Sequence, residues 1–400
     1  MLELHRHPWA TMTSIAAFAV VAGCVSAPPG EATDATTGAA SGDDAGVGGV
    51  ETDADATSAG PSTASGEPTA SAGTASTAAD VTGDPSGSDG SDGSAPGEGW
   101  TLVWSDEFDG DAIDPTRWQH EVNCWGGGNG EQQCYTASPE NAFVEGGMLH
   151  LVARSGPSSG PAVNDDDPNY DPNDTSVTLP YSSARLRTRG MGDWTYGRVE
   201  VRARMPQGQG TWTGVWMLPT DGVYGTWAAS GEIDIVETVN LHVDGEDRLY
   251  GSLHYGSYWP ANVHTGAEYR IPGANPADDF HDYAMEWEQG EIRWYVDDHH
   301  YATQRADGWY TLYDDGTGQM IEGQGAAPFD QSFHLLLNLA VGGAWAGNVN
   351  AGGIDASVFP QEMTIDHVRV YQCAADPATG LGCATLGDDA VLVPGIDPPP

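Results

Sequence analysis

Three acidic residues alternate with apolar residues in one short stretch of the sequence. The stretch Ser230-Gly-Glu-Ile-Asp-Ile-Val-Glu-Thr238 contains Glu232, Asp234 and Glu237. Carboxylates this close raise one another's pKa, so one can stay protonated near neutral pH while another is ionised. Such a pair can supply the acid and the nucleophile that hydrolysis of a glycosidic bond requires. A calcium site or an exposed acidic strand are the alternative interpretations of the cluster.

The spacing of the three acids predicts an irregular strand. In a regular strand, Glu232 and Asp234 share one face, whereas Glu237 points with Ile233 and Ile235 into the apolar layer. Burying a carboxylate there is costly. One extra residue in a β-bulge between Asp234 and Glu237 returns the third acid to the first face. We therefore predict a bulged strand with all three acids in one groove.

The elements that position these acids are predicted to be β-strands. From Thr101 onward, short apolar or alternating runs such as Gly197–Arg204 and His334–Leu339 are separated by Gly, Pro, Asn and Asp clusters. The pattern predicts an all-β sandwich of two antiparallel sheets, in which an aromatic concave face forms a polymer groove. Residues 155–180 and 311–328 are predicted to be long loops. The first is rich in Asp and could hold calcium, but a solvated loop fits its spacing better.

The amino-terminal part of the chain has the composition of an export signal followed by a linker. Residues 1–23 combine a weakly basic start with an apolar run too short to span a bilayer, which is typical of a signal peptide. Val21-Ala-Gly-Cys24 resembles a bacterial lipobox and predicts lipidation of Cys24, with ordinary signal cleavage a few residues later as the alternative. Residues 24–98 are predicted to be a disordered linker rich in Gly, Ser, Thr, Ala and Asp.

The remaining residues are predicted to form one domain and a tail. The catalytic domain spans 99–373 and the carboxyl-terminal tail spans 374–400, disordered from residue 384. Lipidation of Cys24 leaves four cysteines, which form two pairs of equal spacing. In an exported protein these pairs predict two local disulfides, Cys124 with Cys134 and Cys373 with Cys383.

The charge of the chain excludes some partners. The formal net charge is −44, and the 14 basic residues are all arginine. Nucleic acid is a poor partner for such a surface, because phosphate binding needs clustered cations. An anionic polysaccharide would be repelled at long range, whereas binding of a neutral polymer does not depend on the sign of the protein's charge. The acidity by itself is explained by solubility or a salty habitat.

An ordered series of motifs between Thr101 and Gln372 resembles glycoside hydrolase family 16. The acidic stretch is similar to the bulged E-x-D-x-x-E signature of its laminarinases, agarases and carrageenases. The other matching segments are Trp104–Phe108, Asn129–Tyr135, Tyr181–Arg185, Gly214–Pro219, Leu253–Gly256, Phe280–Trp287, Ile292–Asp297, Leu335–Gly343 and Val368–Tyr371. The resemblance implies a β-jelly roll with an open cleft, Glu232 as nucleophile, Glu237 as acid/base and Asp234 positioning both.

Further site residues follow from the resemblance and from residue chemistry. Asn129 and Arg185 would hold glucose hydroxyls on the non-reducing side, and His254 would lie beside the acid/base. Flat aromatic rings suit the apolar faces of sugars. The tryptophans that could stack in this way, with core packing as the alternative, are Trp212, Trp216, Trp227 and Trp345, and Trp216 is the one most expected in the cleft.

The resemblance also implies a structural calcium ion. Its ligands would be the main-chain oxygens of Glu107 and Gly147 and the carboxylate of Asp366, whereas catalysis needs no cofactor.

Among the matching segments, Asn129–Tyr135 is most similar to bacterial endo-β-1,3-glucanases. The resemblance therefore favours an enzyme that hydrolyses laminarin-type β-glucan with retention of configuration. The alternatives are a non-catalytic β-glucan-binding protein, or a family member that acts on mixed-linkage glucan or on a galactan. We expect a monomer that is exported and either lipid-anchored at the bacterial cell envelope or secreted.

Overall fold

The computed structural model describes Gly97 and residues 99–399. The predicted signal peptide, Cys24 and nearly all of the predicted linker lie outside these residues. Within the described part, no helix is long and apolar enough to cross a membrane.

Residues 99–399 form 21 strands, one short α-helix and four 3₁₀ turns. The strands are β1 (Trp100–Asp106), β2 (Gln119–His120), β3 (Gln133–Tyr135), β4 (Ala142–Glu145), β5 (Met148–Gly160), β6 (Val177–Ser183), β7 (Arg185–Arg187), β8 (Asp193–Trp194), β9 (Gly197–Arg204), β10 (Thr211–Pro219), β11 (Glu232–Val239), β12 (Arg248–Tyr255), β13 (Val263–Arg270), β14 (His281–Glu288), β15 (Glu291–Val296), β16 (His299–Arg305), β17 (Leu312–Asp314), β18 (Met320–Glu322), β19 (Phe333–Val341), β20 (Gln361–Cys373) and β21 (Val391–Leu392). The helix α1 is Gly343–Ala346, and the 3₁₀ turns are Gly126–Gly128, Val243–Gly245, Ala306–Gly308 and Ala356–Val358.

Two large, mainly antiparallel sheets confirm the predicted jelly-roll sandwich. The 11-stranded sheet has the order β21-β16-β15-β14-β9-β20-β5-β6-β3, with β1 beside β20 and β4 beside β5. The 8-stranded sheet has the order β13-β12-β11-β10-β19-β7-β2, with β8 beside β19. Consecutive side chains of a strand face opposite sides, so each sheet has one apolar face and one polar face.

The core lies between the apolar faces of the two sheets. It contains Ile233, Ile235 and Val236 of β11 and, from the facing sheet, buried aromatic residues such as Trp287 and Trp294. The indole N–H of Trp294 donates to the main-chain oxygen of Asp234 at 2.8 Å. This bond across the core satisfies a carbonyl at the point where the regular pairing of β11 is interrupted.

Both predicted disulfides are confirmed. Cys124 bonds to Cys134 with the Cα atoms 4.1 Å apart, and Cys373 bonds to Cys383 with the Cα atoms 5.6 Å apart. The first bridge closes the loop that carries Asn129. The second holds the end of β20 to the segment that follows it.

The tail predicted to be disordered from residue 384 is ordered instead. Its strand β21 pairs in parallel with β16, and Val393 is buried in the main core with 5% of its surface exposed. The main-chain N–H of Ile396 donates to the Tyr255 hydroxyl at 3.3 Å. Val393 is the buried side chain of the run Val391-Leu392-Val393, whereas Val391 and Leu392 are exposed, so strand pairing with β16 and burial of Val393 hold the segment. The run is too short to be conspicuous beside the polar and proline-rich sequence around it.

Both predicted long loops are shorter than expected. Strands β5 and β6 extend into residues 155–180 and leave 161–176 as their connection, and β17 and β18 form a small sheet within 311–328.

Candidate active site

Strand β11 has the predicted bulge. Opposite β12, Asp234 pairs with Ser252 and Glu237 pairs with Tyr250, so three steps along β11 match two steps along its partner. Opposite β10, the register also shifts, between Val215 and Trp216. Ile235 and Val236 both point into the core, whereas Glu232, Asp234 and Glu237 line the cleft on the other face. The extra residue therefore brings the three acids together as the sequence predicts.

Each of the two glutamates accepts a hydrogen bond from a tryptophan. The Trp227 indole N–H donates to Glu232 Oε2 at 2.6 Å, and the Trp212 indole N–H donates to Glu237 Oε1 at 2.9 Å. An indole N–H can only donate, so each bond favours the ionised carboxylate and fixes its orientation. These bonds give two of the predicted tryptophans a role in holding the carboxylates, beyond any contact with sugar.

His254 lies beside the first two acids. Its Nε2 is 3.8 Å from Glu232 Oε1 and 3.4 Å from Asp234 Oδ2. The resemblance places His254 beside the acid/base Glu237, and in the structure the His254 ring lies beside Glu232 and Asp234 and within electrostatic range of Glu237. The reason is the strand register, because His254 stands directly opposite Glu232 in the β11–β12 pair.

Burial raises the pKa of all three carboxyl groups. The pKa of Glu232 rises to about 8 because the group is buried and faces the charge of Asp234, although the nearby His254 and the Trp227 hydrogen bond oppose the rise. Burial and Asp234 likewise raise the pKa of Glu237. The pKa of Asp234 is raised by burial, whereas the hydrogen bonds that it accepts from Ser252 and Glu232 oppose the rise. Burial therefore favours the protonated form that an acid catalyst needs, whereas the indole hydrogen bonds and His254 favour the ionised form that a nucleophile needs.

The acids form part of the floor of a cleft of about 410 Å³ on the outer face of the 8-stranded sheet. Trp212, Trp216 and Trp345 line this cleft, as predicted. Trp345, on α1, packs edge-on against Trp212 with the ring centroids 5.5 Å apart. Gly214 stands opposite Glu237 on β10, and a side chain at this position would contact Asn338 Oδ1 at 2.9 Å. The glycine therefore keeps the floor open beside the predicted acid/base.

Asn129 and Arg185 also line the cleft. The Arg185 guanidinium lies 4.5 Å from the centroid of the Trp216 ring and forms an ion pair with Glu121 at 3.3 Å. The Asn129 side-chain amide donates to Glu131 Oε1 at 3.3 Å. Both predicted polar residues are thus held by neighbours in positions from which they can face a sugar.

Trp227 belongs to a second depression, of about 280 Å³, next to the cleft. Arg185 lines both cavities, so they form neighbouring parts of one surface. In the second depression, Asp166 of the acidic loop is 2.8 Å from Arg187 and 2.7 Å from Arg189. Part of the acidic loop therefore pairs with arginines, whereas the sequence predicts that it is solvated.

Several residues that the sequence analysis missed also line the cleft. Asn338 accepts the indole N–H of Trp216 at 2.7 Å, and Tyr250 packs edge-on against Trp345. Asn338 could have been found as the one polar residue in the apolar run 335–341. Val393 and Pro394 of the carboxyl-terminal segment add to the wall, and no local signal in the sequence indicates this.

The predicted calcium ligands lie in one region of the 11-stranded sheet, whereas the three acids lie on β11 of the 8-stranded sheet. Glu107 directly follows β1 and Gly147 directly precedes β5, and both strands pair with β20, which carries Asp366. The Glu107 carboxylate accepts a hydrogen bond from Arg369 at 2.8 Å, so the main-chain oxygen of Glu107 remains as the predicted ligand. Asp366 is the bulged residue between β20 and β9, and its exposed side chain fits a cation. The calcium site stays a prediction.

Comparison with known proteins gives consistent matches. The model of the family described as glycosyl hydrolases family 16 matches residues 158–322. The chain is 42% identical over 278 residues to a beta-glucanase of Rhodothermus marinus, which covers 68% of this chain and 85% of that protein. It is 38% identical over 283 residues to glucan endo-1,3-beta-glucosidase A1 of Niallia circulans, with 68% of this chain and 38% of that longer protein covered. The crystal structure of the Rhodothermus marinus laminarinase matches with a TM-score of 0.53 and 40% identity, covering 68% of this chain and 97% of that one.

Proposed function

Because the chain belongs to glycoside hydrolase family 16, we propose that it hydrolyses internal β-1,3-glucosidic bonds of laminarin-type β-glucans with retention of configuration. The observation that carries this proposal is the bulged strand β11, which presents two buried carboxyl groups and a partly buried third one to one cleft. The cleft is open at the surface and lined by tryptophans, which suits a neutral polymer that binds along its length.

In the first step, Glu237 donates its proton to the glycosidic oxygen while Glu232 attacks the anomeric carbon. The bond to the leaving sugar breaks, and a covalent glycosyl-enzyme intermediate forms at Glu232. Glu237 suits the acid role because burial raises its pKa. The Trp227 hydrogen bond orients Glu232 and favours its ionised form, which is the nucleophile.

In the second step, ionised Glu237 takes a proton from a water molecule, whose oxygen attacks the same anomeric carbon. The bond to Glu232 breaks, and the product keeps the β configuration. The Trp212 hydrogen bond stabilises the ionised form of Glu237 that exists between the two steps. Asp234 lies next to Glu232 on the same face of β11, where its charge raises the pKa of both glutamates.

Two alternatives are less well supported by the site. A glucan-binding protein would not need the acids, whereas this chain keeps all three aligned in the cleft, with Glu232 and Asp234 buried and Glu237 partly buried. An enzyme for sulfated galactan would need cationic groups free to bind sulfate. The guanidinium groups of Arg187 and Arg189 pair with Asp166 instead, and that of Arg185 pairs with Glu121.

The test of the function compares the wild-type enzyme with Glu232→Ala. The variant should lose turnover of laminarin but keep most of its affinity, because the nucleophile adds little to binding of the ground state. Glu140→Ala is a matched control, since Glu140 is an exposed acid outside the cleft. Equal loss of affinity and activity in Glu232→Ala would contradict the assignment.

The reaction products give a second, independent test. Proton NMR of early hydrolysis should show the β anomer first, and a first-formed α anomer would exclude double displacement. Product profiles on laminarin, lichenan, agarose and carrageenan then decide the substrate. We expect laminarin to be cleaved into a series of oligosaccharides, and faster cleavage of lichenan would favour the mixed-linkage alternative.

We also propose that the protein is exported and lipid-anchored through Cys24 at the bacterial cell envelope, as a monomer. The lipobox-like sequence before Cys24 supports the anchor. Cys24→Ser should release the enzyme from the membrane fraction into the soluble fraction, and retention in the membrane would contradict the anchor. Light scattering of the soluble variant should give the mass of one chain.

The structural calcium ion is a further proposal. The strand pairing that brings Glu107 and Gly147 to β20 near Asp366 supports it. Adding calcium to the metal-free protein should raise the thermal unfolding temperature. Asp366→Asn should remove most of this effect, and an unchanged response would contradict the ligand set.

A further inference from the structure

A second group of potential metal ligands lies on the outer face of the 11-stranded sheet. Glu200 on β9, Asp282 on β14 and His367 on β20 each direct one ligand atom to the same point, and these atoms all lie within 4.8 Å of one another. The strands are direct neighbours, since β9 pairs with both β14 and β20. The group is therefore built by the most central strands of the sheet, and it is separate from the cleft on the other sheet.

The distances within the group are too long for direct hydrogen bonds. His367 Nε2 is 3.7 Å from Glu200 Oε1 and 3.9 Å from Asp282 Oδ1, whereas an N–H···O bond spans roughly 2.7–3.2 Å. His367 Nε2 and Asp282 Oδ1 are buried without a hydrogen-bond partner, and only 3% of the His367 surface is exposed. Buried polar atoms usually have hydrogen-bond partners, so we expect an ion or a water molecule to bind between these three side chains.

The size of the gap fits a small divalent cation. A tetrahedral ion with bonds of about 2.0–2.2 Å holds its ligand atoms roughly 3.3–3.6 Å apart. The two separations from His367 Nε2, 3.7 and 3.9 Å, need only a slight contraction to reach this range, and the ligand oxygens of Glu200 and Asp282 lie within 4.8 Å of each other. Imidazole and carboxylate groups together suit zinc, whereas calcium prefers six to eight oxygen ligands.

The surrounding side chains already hold the ligands in place. His367 Nδ1 is 3.0 Å from Asp366 Oδ2, so the other ring nitrogen, Nε2, faces the gap. The second oxygen of Glu200 accepts from Arg198 at 2.9 Å, and that of Asp282 accepts from Arg202 at 2.8 Å. Metal-ligating histidines and carboxylates are typically oriented by such outer hydrogen bonds.

We propose that Glu200, Asp282 and His367 form a binding site for one zinc ion, with a water molecule as the fourth ligand. The site joins three adjacent strands of the outer sheet, so the bound ion stabilises the fold and takes no part in the reaction. The proposal does not depend on the function assigned to the cleft.

The test measures zinc binding by calorimetry on the metal-free protein without a histidine tag, in saturating calcium. The calcium keeps the predicted calcium site filled. Wild-type protein should bind one zinc ion per chain, and binding should raise the thermal unfolding temperature. His367→Ala should abolish both effects. Asp282→Asn alters a partly exposed ligand and should weaken binding by more than the roughly 10- to 100-fold that loss of an outer-shell partner costs.

The control is His254→Ala, because Glu232, Asp234 and His254 form the other group of possible ligands among the described residues. This variant should bind zinc with unchanged affinity and stoichiometry. Loss of zinc binding in His254→Ala would place the ion in the cleft, and its persistence in His367→Ala would place the ion away from these three residues; either result would overturn the proposal. Absence of binding to the wild type would show that the three groups form an ion-pair cluster only.

Discussion

The two indole hydrogen bonds provide a way to distinguish the roles of the glutamates. Trp227→Phe removes the donor that Glu232 accepts at 2.6 Å, and Trp212→Phe removes the donor that Glu237 accepts at 2.9 Å. A hydrogen bond to an ionised group is worth about 1.5–3 kcal/mol. At about 1.4 kcal/mol per pKa unit, each substitution should raise the pKa of its glutamate by roughly 1–2 units.

The two substitutions should move opposite limbs of the pH profile of kcat/KM. Glu232 has to be ionised to attack, so a higher pKa moves the acidic limb of the Trp227→Phe profile to higher pH. Glu237 has to be protonated to act as the acid, so a higher pKa moves the alkaline limb of the Trp212→Phe profile to higher pH. Each variant should leave the other limb where it is in the wild type.

The assay is laminarin hydrolysis measured across pH, with Trp216→Phe as the matched control. The Trp216 indole lines the same cleft but donates to Asn338 at 2.7 Å, so its loss should change KM and leave both limbs in place. If Trp227→Phe moves the alkaline limb, the nucleophile and the acid are exchanged. If neither Trp227→Phe nor Trp212→Phe moves a limb, the indoles do not control the carboxylates.

The bulge, the carboxyl-terminal segment and the first disulfide give three further predictions. Deleting Ile235 makes β11 regular and should keep a folded enzyme with activity about a hundredfold lower, because misplacing the acid/base by about 1 Å has this cost. Inserting alanine after Val236 should remove activity. Equal activity of the two variants would contradict placement of the carboxylates by strand alternation. Ending the chain at residue 390 removes Val393 from the core and from the cleft wall. This truncation should lower the free energy of unfolding by about 1.5–3 kcal/mol and raise KM for laminarin. Unchanged values of both would contradict the packing of Val393. Replacing Cys124 and Cys134 by serine should destabilise the domain by about 2–4 kcal/mol in denaturant unfolding, and an unchanged midpoint would mean that the loop is held without the bridge.

Much of the site follows from local sequence. The alternation of acids with Ile233 and Ile235 assigns each side chain to a face, and the third acid then requires a bulge, which the register of β11 confirms. The two disulfides were also predictable, because cysteines ten residues apart close short loops. In each case the deciding interactions are between residues close in the chain.

The carboxyl-terminal segment marks one limit of the sequence. A run as short as 391–393 becomes a strand only when a sheet edge is available to pair with it, and β16 supplies that edge about 90 residues away in the chain. The segment that lines the cleft could therefore not be distinguished from a disordered tail by composition.

Contacts across strands mark the other limit. Alternation tells which face a side chain takes, but its neighbour on that face depends on strand order and register. The sequence by itself determined the fold class and the three acids in the cleft. The tertiary structure decided that His254 faces Glu232, and that β9, β14 and β20 bring Glu200, Asp282 and His367 together, because such pairings arise only when segments distant in the chain become neighbours in a sheet.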